Sequence, residues 1–297
     1  MNLLITLALP ALIAGTTFEL DGDTTATSAP DLEETELVLQ QAPEDTLEKV
    51  CLTLTGHFGR SFNMIIEIAH LLEDAAQRTG ERVLLVGKWA KFYEAWFDPN
   101  PNIDLKFHGH HNNLKGVIAG KNFGCELVTA QQMFFLYSDG KDAVNPWVAE
   151  MHLKQSIQDA AIQAVQEIGP HFVSVHRRWL EGTCPKRILS HGWARCEHMS
   201  DDELETICTW TESDIRSALH AEGIRGASTW PIVLFTDSQQ PEEDNTFSHI
   251  DRHDFKVGIA MMTMSDVHFG NPASSVDHVL SIWRTKGRML PSHCWEN

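Results

Sequence analysis

The chain has 297 residues, of which 42% are hydrophobic, and it carries a formal net charge of −18. This length suffices for one large domain or two linked domains with a sizeable hydrophobic core. The acidic balance argues against a nucleic-acid-binding protein, because such a surface needs a concentrated basic patch.

The chain begins with a segment typical of a secretory signal peptide. Residues 1–15 contain a short apolar run and then small residues, which is the pattern of a cleavable signal. The run is too short for a stable membrane span, and a buried strand or helix is the alternative. Residues 16–49 are rich in Asp, Glu, Thr and Pro and predict a disordered acidic stem. We therefore expect a protein of the endoplasmic reticulum or Golgi lumen, with secretion as the alternative.

Residues 50–150 predict a first α/β domain. A buried strand is expected over Val50–Thr55, an amphipathic helix over Ser61–Arg78, a second strand over Arg82–Val86 and a helix over Lys88–Trp96. Alternation of strands and helices indicates a parallel, Rossmann-like sheet. Short apolar pieces around Val117 and Leu127 are further candidate strands.

Residues 151–297 predict a second domain of the same class, with the boundary near a long helix. The predicted helices cover 147–168, 203–222 and 274–286, and the predicted strands cover 172–178, 230–236, 255–264 and 267–269. Gly169-Pro170 ends the first of these helices and leads into the first of these strands.

Six cysteines are compatible with disulfides in a lumenal protein, and six cysteines allow 15 pairings. Cys184, Cys196 and Cys208 cluster after the strand at 172–178, so a local bridge is expected there. The connectivity stays open.

The chemistry of the second domain is expected where its strands end. Side chains alternate along a strand, so Ser174, His176 and Arg178 share one face, whereas Arg177 lies on the other. Arg178 suits a diphosphate, because its planar group makes two charge-assisted hydrogen bonds. The turn at Gly270-Asn271 brings the backbone close to a ligand. Ser274 and Ser275 open a helix, whose N-terminus either is simply capped or also binds phosphate.

Four motifs occur in order: Gly56-His-Phe-Gly-Arg-Ser-Phe-Asn63, His176-Arg-Arg178, Leu234-Phe-Thr-Asp-Ser238 and His268-Phe-Gly-Asn-x-x-Ser-Ser275. They resemble the motifs of protein O-fucosyltransferases, which are inverting GT-B enzymes that use GDP-fucose. The resemblance runs from roughly residue 50 to the C-terminus. Arg60-Ser61 stands where the family has Asn-Gln, and Trp179-Leu-Glu-Gly182 replaces the family's usual continuation.

The resemblance implies a GT-B-like fold, with an acceptor-side domain at 50–150 and a GDP-sugar-binding domain at 151–297 facing each other across a cleft. It implies that Arg178 contacts the nucleotide phosphates and is needed for transfer. Further donor-site residues implied are His176, Asp237, Asp266, Gly270, Asn271, Ser274 and Ser275. The N-terminal loop, with Gly56, Phe58, Gly59, Arg60 and Asn63, would face the cleft.

The expected activity is transfer of fucose from GDP-fucose to a hydroxyl, most simply a Ser or Thr of a protein, without metal or cofactor. No Asp-x-Asp motif occurs between residues 50 and 297, which supports the metal-free mechanism. His57 is the candidate general base, because imidazole exchanges protons near neutral pH. A glycan-directed fucosyltransferase and a nucleotide-sugar-binding pseudoenzyme are the alternatives.

Overall fold

The computed structural model places the chain from Leu47 to Asn297 in one compact unit. The described residues are 51–56, 61–78, 82–107, 124–133, 146–177, 184, 200–236, 246–271 and 274–290. The signal peptide and acidic stem predicted over 1–49 lie outside these ranges. No described helix is long and apolar enough to cross a membrane.

The first half of the unit is built on a parallel sheet. Its strands are β1 (Cys51–Thr55), β2 (Arg82–Val86), β3 (Ile103–Lys106) and β4 (Glu126–Thr129), in the order β3-β2-β1-β4. The connecting helices include α1 (Ser61–Gln77) and α2 (Lys88–Trp96). A disulfide between Cys51 and Cys125 joins the starts of the neighbouring strands β1 and β4.

The second half is built on another parallel sheet. Its strands are β5 (Val173–Arg177), β6 (Ile232–Thr236), β7 (His249–Ile250), β8 (Val267–Phe269) and β9 (Arg288–Leu290), in the order β7-β6-β5-β8-β9. The helices of this half are α3 (Pro146–Ala149), α4 (Gln155–Ile168), α5 (Asp201–Thr209), α6 (Glu212–Ala221), α7 (Phe255–Met264) and α8 (Ser275–Trp283). The α/β prediction is confirmed.

Helices cover the second sheet on both faces, and the strand residues on both faces are buried. Val173 and Val175 pack with Ile215 and Leu219 of α6. On the opposite face, residues of β6 share a core with buried side chains of α4, α7 and α8. Because successive side chains of β5 point to opposite faces of the sheet, every second residue of β5 faces α7 and α8.

Helix α1 links this core to the first sheet. Phe62, in its first turn, lies edge-on to Trp96 of α2, Phe255 of α7 and Trp283 of α8, with ring centroids 5.6, 6.0 and 6.2 Å away. The helix is buried on nearly all sides from Phe62 to Leu72. Glu67 lies within this stretch and is fully buried, which has consequences for stability that depend on pH.

Three predicted elements are wrong. Residues 255–264 form α7 rather than a strand. The run is apolar at nearly every position because most of α7 is buried, and periodicity alone does not separate a buried helix from a buried strand. The helix predicted over 147–168 is broken between α3 and α4, where Leu153 bridges Phe97. The helix predicted over 203–222 is broken at Thr211, whose side chain caps α6 in a capping box with Asp214.

The local disulfide expected after β5 is present between Cys184 and Cys208. The third member of that cluster, Cys196, and the candidate strand around Val117 lie outside the described residues. The domain boundary near residue 150 stays a prediction.

Candidate functional site

The strand order of the second sheet reverses at β5. Strand β6 pairs with one side of β5 and β8 pairs with the other, both in parallel. In such a sheet the two connections leave on opposite sides, and a crevice opens at the carboxyl ends of the two central strands. His176 lies near the end of β5, and the Gly270-Asn271 turn follows β8 at the same edge.

A buried carboxylate joins the ends of these strands. Asp277, in the first turn of α8, accepts hydrogen bonds from His176 Nδ1 at 2.6 Å, His268 Nε2 at 2.7 Å and the Asn271 backbone N–H at 2.9 Å. The Asp277 side chain is 0% exposed and that of His176 is 5% exposed. One carboxylate thus ties β5, β8 and the turn after β8 together.

The hydrogen bonds continue away from the strand ends into the core. His268 Nδ1 lies 2.7 Å from Ser174 Oγ, which lies 2.7 Å from Ser265 Oγ. Arg284 donates from one guanidinium nitrogen to Ser265 Oγ at 2.8 Å and to the Met262 carbonyl at 2.8 Å. A chain of hydrogen-bonded polar groups therefore runs from His176 at the strand end to the guanidinium group of Arg284 in the core.

Ser174, His268 and Asp277 have the spacing of a nucleophile, base and carboxylate triad. However, all three side chains are 0% exposed, so no substrate reaches the Ser174 hydroxyl. We interpret these groups as a hydrogen-bonded support for the end of β5 rather than as a hydrolytic site.

The electrostatics of the support follow from burial and pairing. Burial alone would raise the pKa of Asp277, but the interactions of its carboxylate with His176 and His268 hold this pKa well below its usual range. Burial lowers the pKa of His268, although Asp277 opposes this. At neutral pH the carboxyl group is therefore ionised and His268 is neutral.

The N-terminus of α8 lies at the same edge of the sheet. Ser274 is the N-cap, and its side chain accepts a hydrogen bond from the Val276 backbone N–H at 3.2 Å. Ser274 is 1% exposed, whereas Ser275 is partly exposed. The capping role of Ser274 is confirmed, and capping is compatible with anion binding because the first turn of a helix carries several backbone N–H donors.

Asn271 faces inward and contributes to the turn. It is 1% exposed, and its side-chain amide donates to Cys184 Sγ at 3.3 Å. Because Cys184 is bonded to Cys208, the disulfide supports the turn after β8. The side chain of Asn271 is thus part of the framework of the site.

Gly270 is required by the position of Asp277. A Cβ atom at Gly270 would lie 2.5 Å from Asp277 Oδ1 and 2.7 Å from its Cγ.

We expect Gly270→Ala to lower the free energy of unfolding by about 1–3 kcal/mol, as overpacking of a close-packed site does. Urea unfolding measures this loss. In an Asp277→Ala background the same substitution should cost much less, and an equal cost in both backgrounds would show that the contact is not the cause.

Arg177 points to the opposite face of β5, as the alternation predicts. It donates to the Trp210 carbonyl at 3.1 Å and lies over the Phe247 ring. Burial lowers its pKa. Arg177 therefore binds the segments around Trp210 and Phe247, so a substitution of Arg177 is expected to disturb the structure.

Asp266 lies apart from His176, Asn271 and Ser274, so the structure does not support the donor-site role that the resemblance implies for it. It precedes β8, at the amino edge of the sheet, and it accepts hydrogen bonds from His171 Nδ1 and from the Phe172 backbone N–H, both at 3.2 Å. Lys286 Nζ lies 3.3 Å from Oδ2, the oxygen that accepts the Phe172 N–H. The opposite edge of the sheet is the one that carries His176 and Ser274.

Several predicted site residues lie outside the described ranges: His57, Phe58, Gly59, Arg60, Arg178 and Asp237. Gly56 follows β1 with a φ of 79°, a conformation that favours glycine. Asn63 is partly exposed in the first turn of α1. Among the described residues, no group of three or more His, Cys, Asp or Glu side chains is placed to hold a metal ion.

The sequence interpretation missed Asp277, and it did not assign a role to His268, Ser265 or Arg284. One signal was available, because Ser274 and Asp277 have the Ser-x-x-acid spacing of a helix N-terminus. That spacing predicts a local cap. It does not reveal that the carboxylate turns inward to two histidines of other strands.

No family model matches the sequence, and no curated protein matches it. Among solved structures, POFUT1 in complex with GDP matches with a TM-score of 0.50 and 12% identity, covering 82% of this chain and 98% of that chain. POFUT1 in complex with GDP-fucose matches with a TM-score of 0.48 and 12% identity, covering 80% and 96%. The fucosyltransferase NodZ from Bradyrhizobium matches with a TM-score of 0.42 and 11% identity, covering 78% and 92%. The chain thus shares its fold with POFUT1, as solved in complex with GDP.

Proposed function

We propose that the protein transfers fucose from GDP-fucose to a hydroxyl group, with inversion and without a metal ion, at the carboxyl ends of β5 and β8. The observation that carries this proposal is the reversal of the strand order at β5, where His176 is hydrogen-bonded to Asp277 in the first turn of α8. The carboxyl ends of the strands at such a reversal are where open α/β sheets bind ligands. The fold shared with a protein that binds GDP adds to it.

The site suits a leaving diphosphate. Arg178 follows β5 directly, and a guanidinium at this position stabilises the negative charge that develops as the sugar–phosphate bond breaks. The first turn of α8 supplies backbone N–H groups for phosphate oxygens. In the transfer, the acceptor oxygen bonds to the anomeric carbon from the face opposite the diphosphate. The bonding electrons leave with the phosphate oxygen, and the acceptor proton passes to a base.

A protein Ser or Thr in the secretory pathway is the acceptor we propose. The disulfides Cys51–Cys125 and Cys184–Cys208 suit an oxidising compartment. The first half would then present the acceptor, and the loop that follows Gly56 would supply contacts to it.

A second candidate is a protein that binds the nucleotide sugar without transferring the sugar. The observation that favours it is Arg60-Ser61, in the place where the resembling family has Asn-Gln. Both candidates bind GDP at the same edge, so they differ only in turnover.

Turnover is measured by incubating the protein with GDP-fucose and candidate acceptor proteins, with GDP release and acceptor mass as readouts. We expect release of GDP coupled to a mass gain on the acceptor, undiminished by EDTA, and competition by GDP but not by UDP. Binding of GDP without release of fucose would favour the second candidate. Equal competition by UDP would contradict the donor assignment, and loss of turnover in EDTA that manganese restores would contradict the metal-free mechanism.

A further inference from the structure

His176 is the predicted donor-site side chain whose surroundings the structure shows most completely. Its Nδ1 lies 2.6 Å from Asp277 Oδ2, and the ring is 5% exposed at the carboxyl end of β5. The proton of a neutral imidazole resides on either ring nitrogen, and the partner of one nitrogen decides what the other offers a ligand.

The hydrogen bonds of Asp277 determine which ring nitrogen of His176 carries the proton. Oδ2 also accepts the Asn271 backbone N–H at 2.9 Å. A main-chain N–H is always a donor, and Asp277 is ionised, so Oδ2 acts as an acceptor toward both neighbours. His176 Nδ1 must therefore carry a hydrogen, which leaves Nε2 as the nitrogen available to a ligand.

We propose that Asp277 is a positioning residue for the donor site: it fixes the proton of His176 on Nδ1 and directs Nε2 to the diphosphate. The inference rests on the proposed function for the identity of the ligand, a nucleoside diphosphate. The tautomer itself rests only on the hydrogen bonds of Asp277.

The carboxylate also matters through its charge. An imidazole that takes up a second proton on Nε2 becomes an N–H donor to a phosphate oxygen, and charge-assisted bonds of this kind are the stronger ones. Asp277 lies against the ring and offsets the positive charge inside the protein. Removal of the charge of Asp277 should therefore weaken diphosphate binding even if the geometry is preserved.

The carboxylate is held rigidly enough to act in this way. His268 donates to Oδ1 at 2.7 Å, and the carboxylate packs so closely against Gly270 that a Cβ atom there would lie 2.5 Å from Oδ1. Partners that orient metal-bound histidines typically matter by about tenfold to a hundredfold when they are lost, and we expect the same scale for a histidine that binds phosphate. We expect an effect near the lower end, because His176 is one of several groups at the site.

The network allows a variant that removes the charge and keeps the geometry. In Asp277→Asn, the amide oxygen must take the place of Oδ2, because the Asn271 N–H and the His176 Nδ1–H both need an acceptor. The amide N–H group then faces His268 Nε2, so His268 shifts its proton to Nδ1 and donates to Ser174. Ser174 can donate to Ser265, and Ser265 to the Met262 carbonyl 3.0 Å away. Asp277→Asn should thus fold, whereas Asp277→Ala leaves His176 without its acceptor.

Nitrogen NMR of the ligand-free protein with labelled histidine tests the tautomer. We expect His176 to be protonated on Nδ1 in the wild type and in Asp277→Asn, and to lose this preference in Asp277→Ala. In Asp277→Asn we expect His268 to move its proton to Nδ1. A neutral His176 protonated only on Nε2 in the wild type would overturn the inference, whatever the protein binds.

A double-mutant cycle with calorimetric GDP binding tests the consequence. We expect Asp277→Asn to weaken GDP binding about tenfold when His176 is present and to have no further effect in a His176→Gln background. Asp104→Asn, which removes an ion-paired carboxylate from β3, is the control and should leave binding unchanged. Equal losses in both backgrounds would overturn the positioning role. A wild-type protein that binds no GDP would refute the proposed function, while the tautomer result would still decide what Asp277 does.

Discussion

Replacing Glu67 by glutamine is expected to stabilise the protein by several kcal/mol at alkaline pH. Glu67 is 0% exposed in the middle of α1, and neither of its carboxyl oxygens has a hydrogen-bond partner in the described part of the chain. Burial raises its pKa to about 9, although the charge of Lys88 opposes the shift. The folded protein therefore holds a proton that the unfolded chain releases.

The sign of the pH dependence follows from that proton. Between pH 4.5 and about 9, the folded state binds one more proton at Glu67 than the unfolded state does. The free energy of unfolding consequently falls as pH rises, by about 1.4 kcal/mol per unit. Glutamine does not ionise, so Glu67→Gln should remove this slope. The slope is best measured from pH 7 to 9. His268 makes the free energy of unfolding rise with pH, because burial lowers its pKa, but this effect acts only at more acidic pH.

Urea unfolding at several pH values measures the difference. The amide of glutamine is as buried as the carboxyl group it replaces. Its desolvation therefore changes the free energy of unfolding by the same amount at every pH and leaves the slope against pH unaffected. Glu94→Gln, at an exposed position of α2, is the matched control and should leave the slope unchanged. Parallel curves for the wild type and Glu67→Gln would show that the Glu67 carboxyl is not buried as the structure has it.

Much of the fold is predictable from the sequence, because several elements carry strong local signals. The strand Arg82–Val86 and the helix Lys88–Trp96 are found with the predicted bounds. A short apolar run between polar or glycine-containing segments predicts the strand, and the glycine before Lys88 marks the turn. The alternation of β5 also correctly predicts that Ser174 and His176 share a face and that Arg177 lies on the other.

The remaining parts depend on contacts that are distant in sequence. Residues 255–264 contain apolar side chains at nearly every position, and only their packing between other elements shows that they form a helix. Strands β7 and β9 have only two and three residues, and pairing with a longer neighbour is what defines them. Asp277 joins groups 101 and nine residues away, which no local pattern reports.

Replacing Arg178 by lysine is expected to reduce transfer about a hundredfold to a thousandfold, the typical cost of losing one preorganised contact to developing charge. Lysine keeps the charge but loses the planar, two-pronged geometry, so the change is not conservative at a diphosphate. The contact matters most as negative charge develops on the leaving phosphate, so turnover should fall much more than GDP affinity.

The choice of control follows from the structure. Arg177→Lys is unsuitable, because Arg177 is bonded to the Trp210 carbonyl on the other face of β5. Arg225, in an exposed turn after α6, provides a better comparison, and Arg225→Lys should leave transfer unchanged. The melting temperature of each variant shows whether folding is preserved.

The central claim is that the leaving diphosphate is bound at the end of β5, and turnover and GDP affinity of Arg178→Lys, measured side by side, test it most directly. The account predicts a folded variant whose turnover falls at least a hundredfold while its GDP affinity changes far less. A folded variant with turnover close to that of the wild type, or equal to that of Arg225→Lys, would contradict it.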